Sequence, residues 1–281
     1  MTQPWKIAAV QMDCRLGDKP HNLRIMKARL VEAAASGARL AIFPECTLSG
    51  YCFENKEEAL AHSEPLPGPS SEEIKGACRE LGVSVIYGLL ERQGSSLYNS
   101  LALVGPGGLL AVYRKVHLPF LGVDRFAERG PGPFVVHELD GLRLGMLICY
   151  DGGFPEASRC LALQGADLIV LPTNWPPAAI ANPLHVVVTR ALENHVYFAA
   201  VNRVGTERGV RFIGMSRIIG PTGKPLAVSE SDREETLYAD IDPVQARRKR
   251  IVHEAGKYEL DRIGDRRPEL YSPLVQDGGT P

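Results

Sequence analysis

The chain has 281 residues, enough for one large domain or two small ones, with 44% hydrophobic and 23% charged residues, an ordinary balance for a globular protein. A formal net charge of −1 gives no reason to expect nucleic acid or an anionic membrane as the main partner. No apolar run approaches the roughly 18 residues of a membrane span, and "MTQPWKIAAVQM" lacks the basic start and long apolar core of a secretory signal.

In chain order, "KIAAVQM" (6–12) reads as a buried strand. "NLRIMKARLVEAAASGA" (22–38) has helical spacing of Leu23, Ile25, Met26, Leu30 and Val31. "RLAIFPE" (39–45) is strand-like up to Pro44, and "SSEEIKGACRELG" (70–82) opens on serine and early acids and closes on glycine, as a helix does. "VSVIYGLLER", "LYNSLALVG" and "LLAVYRKVHL" follow as three strands between glycine-rich turns. "FVVHEL" and "LRLGMLIC" flank Asp140-Gly141, a two-residue hairpin signal.

Beyond Cys149 the pattern alternates. "FPEASRCLALQGA" is helical, "DLIVLPT" a buried strand, "PLHVVVTRALENH" helical and "VYFAAVNRV" a strand. "FIGMSRIIGPTGKPLAVS" gives two strands around a Pro-Thr-Gly turn, "ETLYADI" closes the set, and a charged helix from about Asp242 leads to an irregular tail. No linker, repeat or low-complexity stretch interrupts the series. It predicts one α/β domain over 1–281 (core 1–260, tail 261–281), with too many hairpins for a purely parallel sheet.

Three stretches carry candidate chemistry. Cys149 ends the run "LRLGMLI" and is followed by Tyr150-Asp151-Gly152-Gly153 and then Phe154-Pro155-Glu156. Most free cysteines are simply buried apolar groups. Here, however, a strand ending in a tight turn before a helix presents its last side chain at that helix's positive end, where a thiolate is favoured. Glu45, just past "LAIF-Pro44", sits at the edge of a sheet and has the chemistry of a general base for a thiol. Arg114, Lys115 and His117 cluster at another strand end, so His117 is a rival base.

Other patterns fail. "GPTGKP" (220–225) lacks the first glycine and the final Ser/Thr of a phosphate loop, and the histidines form no metal-ligand spacing. No cofactor or metal is therefore expected. "RRKR" (247–250) reads as the solvated face of a helix. The six cysteines (14, 46, 52, 78, 149, 160) make no C-x-x-C pair, which suits free thiols in a reducing, cytoplasmic setting.

Taken in order, Glu45 in "FPE", Lys115 in "YRKVHLP" and Cys149 in "ICYDGGFPE" resemble the nitrilase superfamily of carbon–nitrogen hydrolases. "PTNWP" (172–176), "RALEN" (190–194), "VNRVG" (201–205), "GPTG" (220–223) and "DRRPELY" (265–271) extend the resemblance over nearly the whole chain. It implies a four-layer α-β-β-α sandwich that forms a homodimer or higher homo-oligomer through its helices. It also implies a Glu45–Lys115–Cys149 triad: Glu45 as base, Cys149 as nucleophile, and Lys115 with the Tyr150 backbone N–H holding the oxyanion. Typical nitrilases read C-W-E after the nucleophile and have a longer tail. Cys149-Tyr150-Asp151 and the short chain look more like the amidase and carbamoylase branches. Carbamoylases usually add arginines beside the cysteine, where this chain has Gly152 and Gly153.

The expectation is an amidase that releases ammonia from a small linear amide. Nitrilase and N-carbamoyl amidohydrolase activities are the rivals, and a non-catalytic binding relative is a remote alternative. Many relatives carry a second glutamate between the lysine and cysteine motifs. Here "HLPFLGVDRFAERGPG" offers Asp124, with Glu128 as its competitor. Tyr51, Tyr150 and Trp175, beside these motifs, are the candidate pocket aromatics.

Overall fold

The structure, a computed structural model, describes residues 4–276. The first half supplies β1 (Trp5–Gln11), α1 (Lys19–Ala35), β2 (Leu40–Ile42), α2 (Lys56–Ala61), α3 (Pro69–Leu81), β3 (Ser84–Gln93), β4 (Ser96–Gly105) and β5 (Gly108–Arg114). The second supplies β6 (Val136–Leu139), β7 (Leu142–Met146), α4 (Pro155–Leu163), β8 (Leu168–Thr173), α5 (Val187–Asn194) and β9 (Tyr197–Asn202). A small hairpin of β10 (Thr206–Glu207) and β11 (Val210–Arg211) precedes β12 (Arg217–Ile219), β13 (Pro225–Val228) and β14 (Glu235–Ile241). The chain closes through α6 (Pro243–Arg247) and a hairpin of β15 (Ile251–Glu254) and β16 (Tyr258–Leu260).

Two six-stranded sheets result, ordered β14-β1-β2-β3-β4-β5 and β6-β7-β8-β9-β12-β13. Both follow one plan: β1-β2-β3 and β7-β8-β9 are parallel cores, and every flanking strand pairs antiparallel. The strands are apolar on both faces because both faces are covered. Ile7 and Ala9 of β1 point into the layer between the sheets, whereas Ala8 and Val10 face α1 and α3. Leu144, Met146, Val170 and Ala199 fill the inter-sheet layer from the other side, and α4 and α5 cover the second sheet with Ala157, Leu161 and Ala191. This is the expected four-layer α-β-β-α sandwich.

Several sequence expectations shift in detail. α1 begins three residues early, because Asp18 accepts from the His21 N–H and caps it. The helix read from "PLHVVVTRALENH" opens with a π-helical turn over Asn182–Val186 before α5. The charged helix from Asp242 is only five residues long, and the tail contains the β15–β16 hairpin. "RRKR" is accordingly not a solvated helix face. Arg247 pairs with Asp167 at 2.7 Å, and Lys249 donates to the Asn194 and His195 carbonyls at 3.2 and 2.8 Å, closing the C-terminal end of α5.

Candidate active site

Glu45 lies three residues beyond the end of β2 at Ile42, after Phe43-Pro44, and is fully buried, not a solvated loop acid. The chain turns there around Gly88 of β3: a Cβ on that glycine would overlap the backbone of Glu45 and Cys46. Lys115 continues β5 by one residue, its N–H donating to the Asn99 carbonyl at 2.9 Å. The Lys115 ammonium then reaches Glu45 Oε1 at 2.7 Å and Asp124 Oδ2 at 2.6 Å, with all three side chains shut off from solvent.

Asp124 arrives on a 3-10 turn over Gly122–Arg125. That turn is drawn in because the Val123 N–H donates to the Tyr51 carbonyl at 2.8 Å and the Tyr51 hydroxyl donates to Asp124 Oδ2 at 2.7 Å. Gly122, at φ 51°, lies flat against the Tyr51 ring, where any side chain would collide. The shorter aspartate thus reaches Lys115 because its loop approaches. Glu128, the competitor, points outward, its side chain 44% exposed and 3.4 Å from Lys56.

Three buried charges in contact perturb one another. Burial lifts the Glu45 carboxyl above its ordinary 4.5, Lys115 pulls it back, and Asp124 pushes it up again. Burial by itself would discharge Lys115, but Asp124 and Glu45 outweigh it and hold the ammonium well above its usual range. The cluster therefore contains a firmly charged lysine and a carboxylate whose proton affinity is raised.

Cys149 enters from the second sheet. After β7, Leu147 and Ile148 run on, and Cys149 to Gly153 form a 3-10 turn before α4 starts at Pro155. The thiol is therefore not at the N-terminus of α4, as the sequence suggested, but on a separate turn with φ of 45°. Nor is the thiolate favoured at rest. Burial pushes the thiol up to about 12, helped by Glu45 and opposed by Lys115, Thr173 and the Asn174 backbone. A neutral thiol at rest requires a base at the moment of attack.

Asp151 fixes this turn against the first sheet. One oxygen accepts from the Ile148 N–H at 3.0 Å and the Tyr113 hydroxyl at 2.7 Å; the other accepts the His117 N–H at 2.9 Å and lies 2.7 Å from His117 Nδ1. Tyr113 and His117 bracket Lys115, and Ile148 precedes Cys149, so one carboxylate ties the two strand ends together. His117, the rival base, is spent on Asp151 and stacked on Phe154 at 3.7 Å between ring centroids. From the outer side, the Arg190 guanidinium in α5 donates to the Gly152 carbonyl at 3.0 Å and the Gly153 carbonyl at 3.2 Å. Arg114 is an ion-pair group, with Nε 2.8 Å from Glu91.

The three aromatics separate. Tyr51 is buried in contact with Asp124, Trp175 is buried in the main hydrophobic cluster, and Tyr150 is 46% exposed with its ring edge-on to Phe154. The sequence reading missed Asn99, whose amide nitrogen donates to Glu45 Oε1 at 2.7 Å and Asp124 Oδ1 at 2.9 Å. It also passed over Arg203 in "VNRVG", which is fully buried and paired with Glu207 and, at 2.6 Å, with Asp13. Glu207 in turn receives the Tyr51 and Cys52 N–H groups at 2.9 Å each, anchoring the Tyr51 loop. The available signal was polarity in mostly apolar strands: Asn99 falls within β4 and Asn202 closes β9, and both are buried.

A thiol facing a buried carboxylate–ammonium cluster, at the strand ends of an α-β-β-α sandwich, is equipment for acyl transfer to sulfur. The chain matches the family model described as "Carbon-nitrogen hydrolase" over residues 6–251, and it belongs to that family. It is similar to a nitrilase of Pyrococcus abyssi (38% identity, covering 95% of this chain and 98% of the relative) and to an (R)-stereoselective amidase of Pseudomonas sp. (35% identity, 87% and 88%). Its structure resembles an amidase of Nesterenkonia sp. AN1 (TM-score 0.79, 27% identity, 95% of each chain), seen in a mutant with the acetamide moiety of fluoroacetamide added covalently at the active-site cysteine. The protein is a carbon–nitrogen hydrolase of the nitrilase superfamily, with amidases among the proteins it is similar to.

Proposed function

We propose that the protein hydrolyses the carbon–nitrogen bond of a small linear amide through a thioester on Cys149, releasing ammonia and a carboxylic acid. The observation that carries this reading is the asymmetry of the Glu45 carboxylate. Lys115 and Asn99 both donate to Oε1, while Oε2 is buried without a partner. A buried carboxylate oxygen lacking a donor is costly, and it is the atom free to take a proton.

In this reading Oε2 accepts the thiol proton as Sγ attacks the carbonyl carbon. Lys115 Nζ and the Tyr150 backbone N–H hold the developing oxyanion, each such donor contributing on the order of 10²–10³ in rate. Glu45 returns the proton to nitrogen as the carbon–nitrogen bond breaks, and ammonia departs. Water then attacks the thioester carbon, giving a proton to Glu45; the thiol is re-formed and the carboxylic acid leaves. Asp124 keeps Lys115 charged and positions the leaving nitrogen. Tyr51 holds Asp124, and Trp175 shapes the wall beyond Thr173 and Asn174.

The arginine nearest the nucleophile turn supports a neutral acyl group. Arg190 spends its donors on Gly152, Gly153 and Glu193, leaving it committed where a substrate carboxylate would need it free. Nitrile hydrolysis on the same residues is the second reading, favoured by the 38% identity to a protein named nitrilase. A homodimer through the outer helices belongs to the proposal, supported by exposed Leu163, Ile180 and Leu184 on that face. So does a reducing, cytoplasmic setting, which suits six free cysteines. Ammonia release across a panel of amides, nitriles and N-carbamoyl compounds tests the assignment; release from nitriles or N-carbamoyl compounds but from no amide overturns it.

A further inference from the structure

Asn99 is the second donor shared by the two carboxylates. It sits fully buried in the middle of β4, its backbone carbonyl taking the Lys115 N–H. Its amide nitrogen donates one proton to Glu45 Oε1 at 2.7 Å and the other to Asp124 Oδ1 at 2.9 Å. Its Oδ1 accepts the Cys46 thiol at 3.4 Å. The orientation is dictated by chemistry: flipped, the amide would set its oxygen against two carboxylates.

We propose that Asn99 is a positioning residue that selects which oxygen of Glu45 takes the proton. This rests on the reading of Glu45 as the base. A lysine ammonium has three freely rotating donors and by itself does not distinguish the two oxygens of a carboxylate. The planar amide does, because its second proton is tied to Asp124 and its oxygen to Cys46. With both donors on Oε1, that oxygen is saturated and Oε2 is the one left without a partner.

The same bond favours the ionised form of Glu45, so its loss has a titration signature. The ionisable groups facing Glu45 are Lys115 at the end of β5, Asp124 on its turn, Cys46 and Tyr51 on the loop after β2, and Cys149 from the second sheet. Burial raises the Glu45 carboxyl; Lys115 and the Asn99 hydrogen bond lower it, and Asp124 raises it.

Alkylation of Cys149 by iodoacetamide, followed by mass spectrometry of its peptide across the acid and neutral pH range, reads this base without knowledge of the natural substrate. In the wild type the rate climbs through an inflection set by Glu45, and Glu45→Gln removes that inflection. Asn99→Leu, similar in size but without donors, moves the inflection upward by about one pH unit. Asn99→Ser, with a single proton to give, moves it by less, and it carries the comparison if the leucine variant fails to fold. A folded Asn99 variant that is slower but inflects at the wild-type pH overturns the proposal. An inflection that survives in Glu45→Gln overturns the reading of Glu45 instead.

Discussion

The turns that end two corresponding stretches, Glu45-Cys46 after β2 and Ile148-Cys149 after β7, share a backbone feature and differ in everything else. Both cysteines hold positive φ, 49° at Cys46 and 45° at Cys149, a conformation that side-chain-bearing residues rarely adopt. Cys46 is fully buried, and its thiol is hydrogen-bonded to Asn99; burial and the neighbouring Glu45 hold it well above ordinary thiol values. Cys149 remains partly accessible and faces Glu45, Lys115, Thr173 and Asn174. A strained turn and a sulfur atom do not make a nucleophile. In the proposed mechanism, access and a base with an open oxygen do.

The largest break in this comparison is removal of each sulfur. Cys149→Ala is expected to lower turnover on the order of 10⁴-fold or more with the fold retained, as for other covalent nucleophiles. Cys46→Ala is expected to cost on the order of 1 kcal/mol of stability with turnover within about tenfold of wild type. Paired kinetics and thermal melts check both. Equal activity loss in the two would erase the distinction.

Lys115→Met attacks the charged side directly, leaving Glu45 and Asp124 buried without their cation. Breaking such a buried set costs about 3–5 kcal/mol, and turnover is expected to vanish with it; a melt near that of the wild type would contradict the geometry. Glu45→Gln is gentler on the fold. The glutamine oxygen still accepts from Lys115 and Asn99, but it takes no proton, so turnover should fall by about 10²–10⁴. The sign for stability follows from the raised carboxyl. Its contribution is present below 4.5 and lost as pH rises through the higher folded value, so the permanently neutral glutamine should melt no lower than wild type at neutral pH.

Smaller effects sharpen the picture. Asp124→Asn is expected to reduce kcat by one to two orders of magnitude, roughly the worth of orienting a charged partner, whereas Glu128→Gln on the surface should leave kcat unchanged. Equal values for the pair would mean that the position against Lys115 is idle. The wild-type acid limb of kcat/KM should lie above 4.5, because burial raises the carboxyl that must be ionised. A limb in the ordinary carboxylate range would point to an exposed base.

Much of the frame was legible in the sequence because periodicity reports burial. The runs that became β1, β3, β4, β8 and β9, the α1 and α3 helices and the Asp140-Gly141 hairpin stand near their expected bounds. The ordered Glu45, Lys115 and Cys149 motifs also lie where strands end. What stayed hidden is long-range. The short α2 and the β10–β11 and β15–β16 hairpins are too brief for a period to show. The Cys149 thiol looked activated because a following helix is visible in sequence, whereas what raises it is burial in the packed fold and the charge of Glu45, 104 positions away. Asn99 and Asp151 each hold atoms from separate segments, a role no local pattern announces.

The central claim is that the acyl group rides on Cys149. Rapid quenching of the wild-type enzyme with a slowly hydrolysed amide, followed by peptide mass spectrometry, tests it most directly. The account predicts an adduct of the acyl mass on the Cys149 peptide that decays as the carboxylic acid appears. An adduct on Cys46 or Cys160, or turnover of the same amide with no adduct on any cysteine, would contradict it.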